Sequence, residues 1–313
     1  MALLFIIDPP DALKAYKDTT VAMMRAAQAR GHAVWVCEQA SLRWERHQVA
    51  ARATRLSLGD EDEDWYRAEE SAERALKDFD AVLMRKDPPF DLEYVVSTWL
   101  LSAAARAGAR VFNAPDAIRD HNEKLAIAEF PEFCVPTLVT REPRELQRFI
   151  DEQGDVVIKR LDVMGGEAVF RVRRDDPNRN VIVEIMAQGG ARTVMGQRFI
   201  PEIAQGDKRV ILLDGKLVPH CLARIPKPGE SRGNLAAGAR GEAQPVSARH
   251  REIAEAVGPR LADRGLLFVG LDVIGDWLTE VNVTSPTGFR EIQDQTGLPV
   301  AQLFIEALES RLR

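Results

Sequence analysis

Short apolar runs and stretches of helical periodicity alternate along the first third of the chain. Residues 2–8 and 33–37 are continuous apolar runs, and the apolar positions of 19–30 between them recur at helical spacing, so the order strand, helix, strand is expected. The same pattern returns at 80–84 and 109–112. Helical periodicity covers 92–107 between those runs, and Gly108 is placed to stop that helix. Continuous apolar strands joined by helices make residues 1–122 an α/β lobe built on a parallel sheet. The acidic stretch 59–64 reads as the solvated start of a further helix.

After Asn113 the texture changes. Pro115 suits a first helical turn, and the helix it opens is expected to run to about residue 129, with a domain boundary near residue 122. Strands are expected at 156–159, 168–173, 181–187 and 193–200, with one helix at 142–151. Residues 123–200 thus form a smaller α+β lobe. The strongest hairpin signal lies at 209–225, where Asp214-Gly215 supplies the positive φ that a tight turn needs. It opens a third lobe, 201–313, which continues through a helix at 248–264, strands at 266–274 and 277–283, and a helix at 299–311.

Composition narrows the function classes. A length of 313 residues with 45% hydrophobic content is enough for two or three cores, because single cores stop growing near ~250–300 residues. The net charge of −6 is spread over interspersed charges of both signs, so nucleic acid is not an expected partner. The first apolar run lacks a basic flank and meets Asp8 and two prolines, which reads as no export signal. No apolar stretch approaches the ~20 residues that span a bilayer, so neither a membrane-spanning role nor a membrane partner is expected and a cytoplasmic protein is. Cys37, Cys134 and Cys221 are odd in number and far apart, hence reduced thiols. The five histidines lack the paired spacing of a zinc site.

Three segments carry candidate chemistry. At 156–167 a buried strand ends in Lys159 and meets a loop with Gly165 and Gly166, whose N–H groups can donate to phosphate oxygens while the lysine adds charge; a surface hairpin would carry a similar glycine pair. At 271–282, Glu280 and Asn282 are two apart and share one strand face. A three-residue loop at 275–277 would set Asp272 opposite Glu280, whereas a two-residue loop would point it away. Two carboxylates and an amide oxygen suit Mg²⁺ shared with nucleotide phosphates, although a half-exposed hairpin would also show polar alternation. The basic, glycine-rich stretch 226–241 is too long for an ordinary hairpin loop and reads as a lid that brings Arg232 over an anionic intermediate, or as a flexible connector. MRKDPPF at 84–90 ends a strand of the first lobe, where open α/β sheets bind ligands, and its prolines beside a charged triplet read as a shaped substrate wall or as a rigid turn with solvated charges.

Taken in order, MRKDPPFD (84–91), NEKL (122–125), GDKRV (206–210), PHCLARIP (219–226), RGNLAAG (232–238) and FVGLDVIGDWLTEVNVTSPTG (268–288) resemble the prokaryotic glutathione synthetases of the ATP-grasp superfamily. The likeness covers essentially the whole chain. It implies an ATP-grasp fold behind a Rossmann-like lobe, and ligation of glycine to γ-glutamylcysteine through an acyl phosphate at the expense of ATP, with Mg²⁺ or Mn²⁺. By the same resemblance Lys124 and Lys159 contact the phosphates and Met164, Gly165 and Gly166 form the phosphate loop. Gln197, Arg198 and Ile200 meet adenine, and Asp207 lies near the ribose. Asp272, Glu280 and Asn282 ligate the metal, Arg209 and Arg224 attend the dipeptide and its reacting carboxyl group, and Arg232 sits in the lid. The resemblance also implies a homotetramer.

Two rivals stay open: another ATP-grasp carboxylate–amine ligase, and a nucleotide-binding relative without catalysis. The phosphate loop departs from the family pattern, with Arg160 in place of a proline and Val163 in place of a glycine, and Ala239 stands for a lid glycine. A β-branched residue resists positive φ, so if that glycine's conformation is needed the loop must rearrange or strain, and a weaker grip on ATP rather than loss of activity is expected.

Overall fold

The computed structural model describes residues 1–163, 166–230, 233, 235 and 238–313. Its strands form three sheets. The first contains β1 (Ala2–Ile7), β2 (Ala33–Glu38), β3 (Arg43–Glu45), β4 (Gln48–Leu58), β5 (Tyr66–Ala75), β6 (Ala81–Met84) and β7 (Val111–Phe112). Its order is β3-β4-β2-β1-β6-β7, with β5 on the far side of β4. The β2-β1-β6-β7 half is parallel and nearly all buried, with α1 (Thr19–Ala29) and α2 (Leu92–Arg106) as crossovers. Each helix starts on an aspartate cap: Asp18 accepts from Val21 N and Asp91 from Tyr94 N, both at 2.9 Å.

The other half corrects the expectation of an all-parallel lobe. Strands β3, β4 and β5 add in antiparallel fashion, and 59–64 is the turn between β4 and β5 rather than a helix start. Arg25 of α1 holds this acidic turn through Asp62 at 2.9 Å and the Gly59 carbonyl at 2.9 Å. The helix opened by Pro115, α3, stops at Asp120, and 125–129 is a separate 3-10 turn.

The second sheet is antiparallel, with β8 (Thr137–Thr140), β9 (Asp155–Arg160), β10 (Val169–Arg173) and β11 (Val194–Arg198) in the order β10-β9-β11-β8. It packs on α4 (Pro143–Gln153) and α5 (Arg179–Ala187), which corrects the strand expected at 181–187. The helical signal was present: Val183, Met186 and Ala187 are its buried residues, at i, i+3 and i+4.

The third sheet holds β12 (Asp207–Leu213), β13 (Lys216–Leu217), β14 (His220–Ile225), β15 (Arg240–Pro245), β16 (Phe268–Ile274) and β17 (Trp277–Asn282). Its order is β15-β14-β12-β16-β17, with β13 also on β12. Asp214 (φ 51°) and Gly215 (φ 72°) are both left-handed, as a primed hairpin turn requires, and the strand expected at 216–225 breaks between Leu217 and His220. Residues 240 and 241 belong to β15 rather than to the lid stretch.

Helix α6 (Ala248–Asp263) covers one face of this sheet. Helices α7 (Phe289–Thr296), which was not anticipated, and α8 (Val300–Leu312) bring Phe289 and Phe304 into one core with Phe268 of β16 and with Leu3 and Phe5 of β1. This shared core joins the first and third sheets. Among the described residues no helix is long and apolar enough to cross a membrane.

Candidate active site

The loop between β16 and β17 has two residues, Gly275 and Asp276, since Ile274 pairs with Trp277 and Val273 with Leu278. By strand alternation alone that loop would point Asp272 away from Glu280. A bulge intervenes: the register shifts after Asp272, Thr279 is left as the extra residue, and Asp272 pairs with Glu280. The Thr279 hydroxyl donates to the Asp272 carbonyl at 3.1 Å. Two pairs further along, Asn282 lies opposite Gly270 and its Nδ2 donates to the Gly270 carbonyl at 3.1 Å, which leaves Oδ1 to accept or ligate. The three oxygen-bearing side chains therefore share one face of the ribbon.

Neighbouring strands set arginines against them. Asp207 and Arg209 are two apart on β12, where Asp207 pairs with Arg224 of β14 and Arg209 with Asp272 of β16. Arg209 grips Asp272 with Nε at 2.6 Å and Nη2 at 3.1 Å, and Arg224 Nη2 reaches the same carboxylate at 2.8 Å and Asp207 at 2.5 Å. Burial pushes the Asp272 carboxyl up, but the guanidinium groups of Arg209 and Arg224 outweigh it and hold the group well below the usual carboxylate range. Asp207 goes the other way: burial dominates the attraction of Arg224 and raises it. Asp207 Oδ1 and Arg224 Nε are buried with no hydrogen-bond partner among the described residues. A ligand that donates to one and accepts from the other would satisfy both.

Two lysines complete the charge. Lys159, at the end of β9 and 7% exposed, lies 3.4 Å from Glu280 and so bridges the second and third sheets. Lys124, 6% exposed, donates to the Val163 carbonyl at 2.6 Å. Burial raises Glu280, yet Lys124 and Lys159 pull it below its ordinary value, so it is held as a carboxylate.

All of these line one cavity of about 330 Å³ between the second and third sheets. Gly166, Gln197, Arg198 and Ile200 form its wall on the side of the second sheet. Gln197 is buried and its Nε2 lies 3.2 Å from the Thr137 hydroxyl. Every described residue expected at the site thus borders the same space. Met164, Gly165 and Arg232 lie outside the described residues, but Gly233 is described: a Cβ there would come within 2.9 Å of Asp207 Cβ, so this part of 226–241 packs on the arginine network.

Val163 is not among the left-handed residues. Among the described residues of its loop the left-handed ones are Gly166 (φ 77°) and Ala168 (φ 50°), and Val163 borders the cavity. Arg160, at the other altered position, forks onto Asp162 at 2.9 and 2.6 Å.

A divalent cation has a hard-oxygen donor set in Asp272, Glu280 and Asn282, which fits Mg²⁺-like chemistry; among the described residues no group of three His, Cys, Asp or Glu side chains forms an alternative. Burial works against the thiolate form at all three cysteines. Burial pushes Cys37 up to about 12 and Cys134 up to about 11, and raises Cys221 as well.

The prokaryotic glutathione synthetase N-terminal domain model matches residues 1–119, and that family's ATP-grasp domain model matches 123–297. The chain belongs to the prokaryotic glutathione synthetase family. It is 57% identical to the glutathione synthetase of Ralstonia nicotianae over 99% of this chain and 95% of the relative. Against the Nitrosomonas europaea glutathione synthetase it is 55% identical, over 100% of this chain and 98% of the relative. Among solved structures, a D-cycloserine synthetase superposes with a TM-score of 0.69 at 16% identity, covering 99% of this chain and 100% of that one. A RimK-domain ATP-grasp protein from Sphaerobacter thermophilus gives 0.63 at 20% identity, covering 98% and 99%. These distant likenesses carry the fold, which is ATP-grasp. The chain is an ATP-dependent ligase of this synthetase family.

Within the synthetase site, motif matching left several cavity residues without a role. Glu123 and the run Thr284, Ser285, Pro286, Thr287 border the cavity beside Asp87 and Pro88. Their signal was positional: Glu123 adjoins Lys124, and 284–287 begin one residue beyond the strand that bears Glu280 and Asn282.

Proposed function

We propose that the chain is a glutathione synthetase that joins glycine to γ-glutamylcysteine through an acyl phosphate, consuming ATP and releasing ADP and phosphate. The observation that carries this reading is the convergence of Lys124, Lys159, Arg209 and Arg224 on the Asp272–Glu280–Asn282 face within one cavity. Four cations around a carboxylate set match what phosphoryl transfer between two anions requires, since little covalent chemistry is left for the protein to do.

In this reading Lys124 and Lys159 hold the ATP phosphates, phosphate binding is also assigned to Met164, Gly165 and Gly166, and Gln197, Arg198 and Ile200 receive adenine, with Asp207 toward the ribose. Asp272, Glu280 and Asn282 would hold a Mg²⁺ or Mn²⁺, which would supply neutralisation of charge on the phosphates. Arg209 and Arg224 orient the cysteinyl carboxylate for attack on the γ-phosphate. Arg209 then steadies the oxyanion formed when the amine of glycine adds to the acyl carbonyl. We assign to the stretch 226–239, with Arg232, the exclusion of water that would hydrolyse the acyl phosphate. No protein nucleophile takes part, which agrees with the raised thiols.

The domain division we propose is 1–122, 123–200 and 201–313. We assign the protein to the cytoplasm as a homotetramer, with small-molecule substrates and neither nucleic acid nor membrane as partner.

The test is an amine competition. Purified protein receives ATP, Mg²⁺, γ-glutamylcysteine and an equimolar set of amino acids and amines, and products are read by mass spectrometry. Glutathione as the dominant product supports the reading. Preferential use of another amine overturns it in favour of a different ligase.

A further inference from the structure

Glu123 borders the cavity and takes no part in the mechanism above. Its Oε1 accepts three hydrogen bonds, from Val283 N at 2.9 Å, Thr284 N at 3.0 Å and the Thr284 hydroxyl at 2.8 Å. Its main-chain carbonyl accepts a fourth, from Val281 N at 2.8 Å. Asn282 is thereby bracketed, with Val281 and Val283 both fastened to one residue of another segment. The next residue along is Lys124, whose Nζ donates to the Val163 carbonyl at 2.6 Å. The preceding residue, Asn122, accepts from Lys124 N at 3.2 Å and donates to the Leu161 carbonyl at 2.8 Å.

Three consecutive residues therefore span the space between the strand end that carries Asn282 and the loop at 161–163. Within this span the side-chain bonds to the strand end all run to a single oxygen of Glu123. We infer that Glu123 is a positioning residue that sets the distance between Lys124 and the Glu280–Asn282 face, the two elements between which bound phosphates must fit. The three donors are two backbone N–H groups and a hydroxyl, all neutral, so a neutral amide oxygen in the place of Oε1 can accept the same three bonds. The loop that follows has anchors of its own. Arg85 Nη2 donates to the Pro286 carbonyl at 2.9 Å, and Gly288 N donates to the Thr19 hydroxyl at 3.1 Å, so loss of the Glu123 bonds acts on the nucleotide side first.

This inference rests on the reading of Lys124 and the Glu280–Asn282 face as nucleotide-phosphate machinery. The experiment compares Glu123→Gln, Glu123→Asp and Glu123→Ala with the unaltered chain. It measures Mg²⁺-ADP affinity by calorimetry without γ-glutamylcysteine or glycine, then KM for ATP and for γ-glutamylcysteine, with a melting curve for each protein. Misplacing one charge-assisted contact weakens nucleotide binding about tenfold.

Glu123→Asp, which keeps the charge and loses the reach, is expected to show that loss while KM for γ-glutamylcysteine stays within about threefold. Glu123→Gln, which keeps the acceptor and loses the charge, recovers most of the affinity. The ordering Gln above Asp is the signature, and it stands even where Glu123→Ala does not fold. Equal ADP affinity in all folded variants, a Gln variant weaker than the Asp variant, or a parallel rise of both KM values with the melting point would overturn the inference. Intact ADP binding by an unaltered chain with no glycine-dependent turnover overturns the ligase reading alone.

Discussion

Asp272 faces Glu280 across β16 and β17 although the loop between those strands has only two residues, because Thr279 is bulged out of register between them. The bulge turns a ribbon that would place its carboxylates on opposite faces into one that gathers Asp272, Glu280 and Asn282 on the same side. Bulges re-aim side chains in this way beside functional sites.

Glu280→Gln removes the carboxylate that Lys159 approaches at 3.4 Å and that the two lysines hold in its charged form. Turnover is expected to fall on the order of a hundredfold, the scale of losing one preorganised electrostatic partner. The Mg²⁺ concentration for half-maximal nucleotide binding is expected to rise with it. Steady-state kinetics and a calorimetric Mg²⁺ titration check both; unchanged Mg²⁺ dependence would remove Glu280 from the cation site.

Val163→Gly is expected to lower KM for ATP. Val163 is not left-handed, so the gain comes from removing a β-branched side chain from the cavity wall and letting the loop's backbone approach the phosphates, rather than from relief of strain. A KM for ATP that stays level or rises contradicts this account of the loop.

Gly258→Ala tests the packing of α6 on the Asp214-Gly215 turn. Glycine inside a helix ordinarily costs about 1 kcal/mol relative to alanine, so the substitution would stabilise most helices. Here a Cβ at 258 would run into the Gly215 carbonyl, and one at 215 would meet Ala262 and Gly258, so the sign reverses. A loss of about 1–3 kcal/mol is expected from denaturant unfolding, the range of overpacking. An increase in stability would show that the helix and turn do not approach this closely.

Glu309 supplies a pH test. The hydrogen bond from Arg30, with His32 beside it, pulls its carboxyl down to about 2 from the usual 4.5, against the opposing effect of burial. Folding therefore favours the deprotonated form. The stabilisation is fully present above pH 4.5 and is lost as pH falls from there toward 2. The difference in melting temperature between the unaltered chain and Arg30→Ala is expected at neutral pH, to shrink across that window and to diminish with added salt, since the pair is partly exposed. A difference that grows on acidification contradicts the assignment.

The elements legible in the sequence were those where burial and periodicity coincide. The parallel strands β1, β2 and β6, the helices α1 and α2, and the hairpin turn at Asp214-Gly215 all follow from apolar runs, caps and a positive-φ pair. Strand β5 was hidden because nearly all of it is exposed and it reads Tyr-Arg-Ala-Glu-Glu-Ser-Ala-Glu-Arg-Ala, a composition that favours helix; only pairing with β4 makes it a strand. Helix α5 reads as a strand in sequence because its Val and Ile residues have strand propensity, while Val181 and Ile185 are in fact exposed. At the site, residue types and spacing pointed to Lys159, Asp272, Glu280 and Asn282. The bulge at Thr279, the clamp of two arginines on Asp272 and the span through Glu123 depend on register and on contacts between distant segments, which spacing along one chain does not encode.

The measurement that bears most directly on the central claim is ADP release by the purified protein with ATP, Mg²⁺ and γ-glutamylcysteine, with and without glycine, together with mass spectrometry of the products. The account predicts ADP release that depends on glycine and matches glutathione formed one for one. ATP binding without glycine-dependent turnover, or ADP release with no glutathione formed, would contradict it.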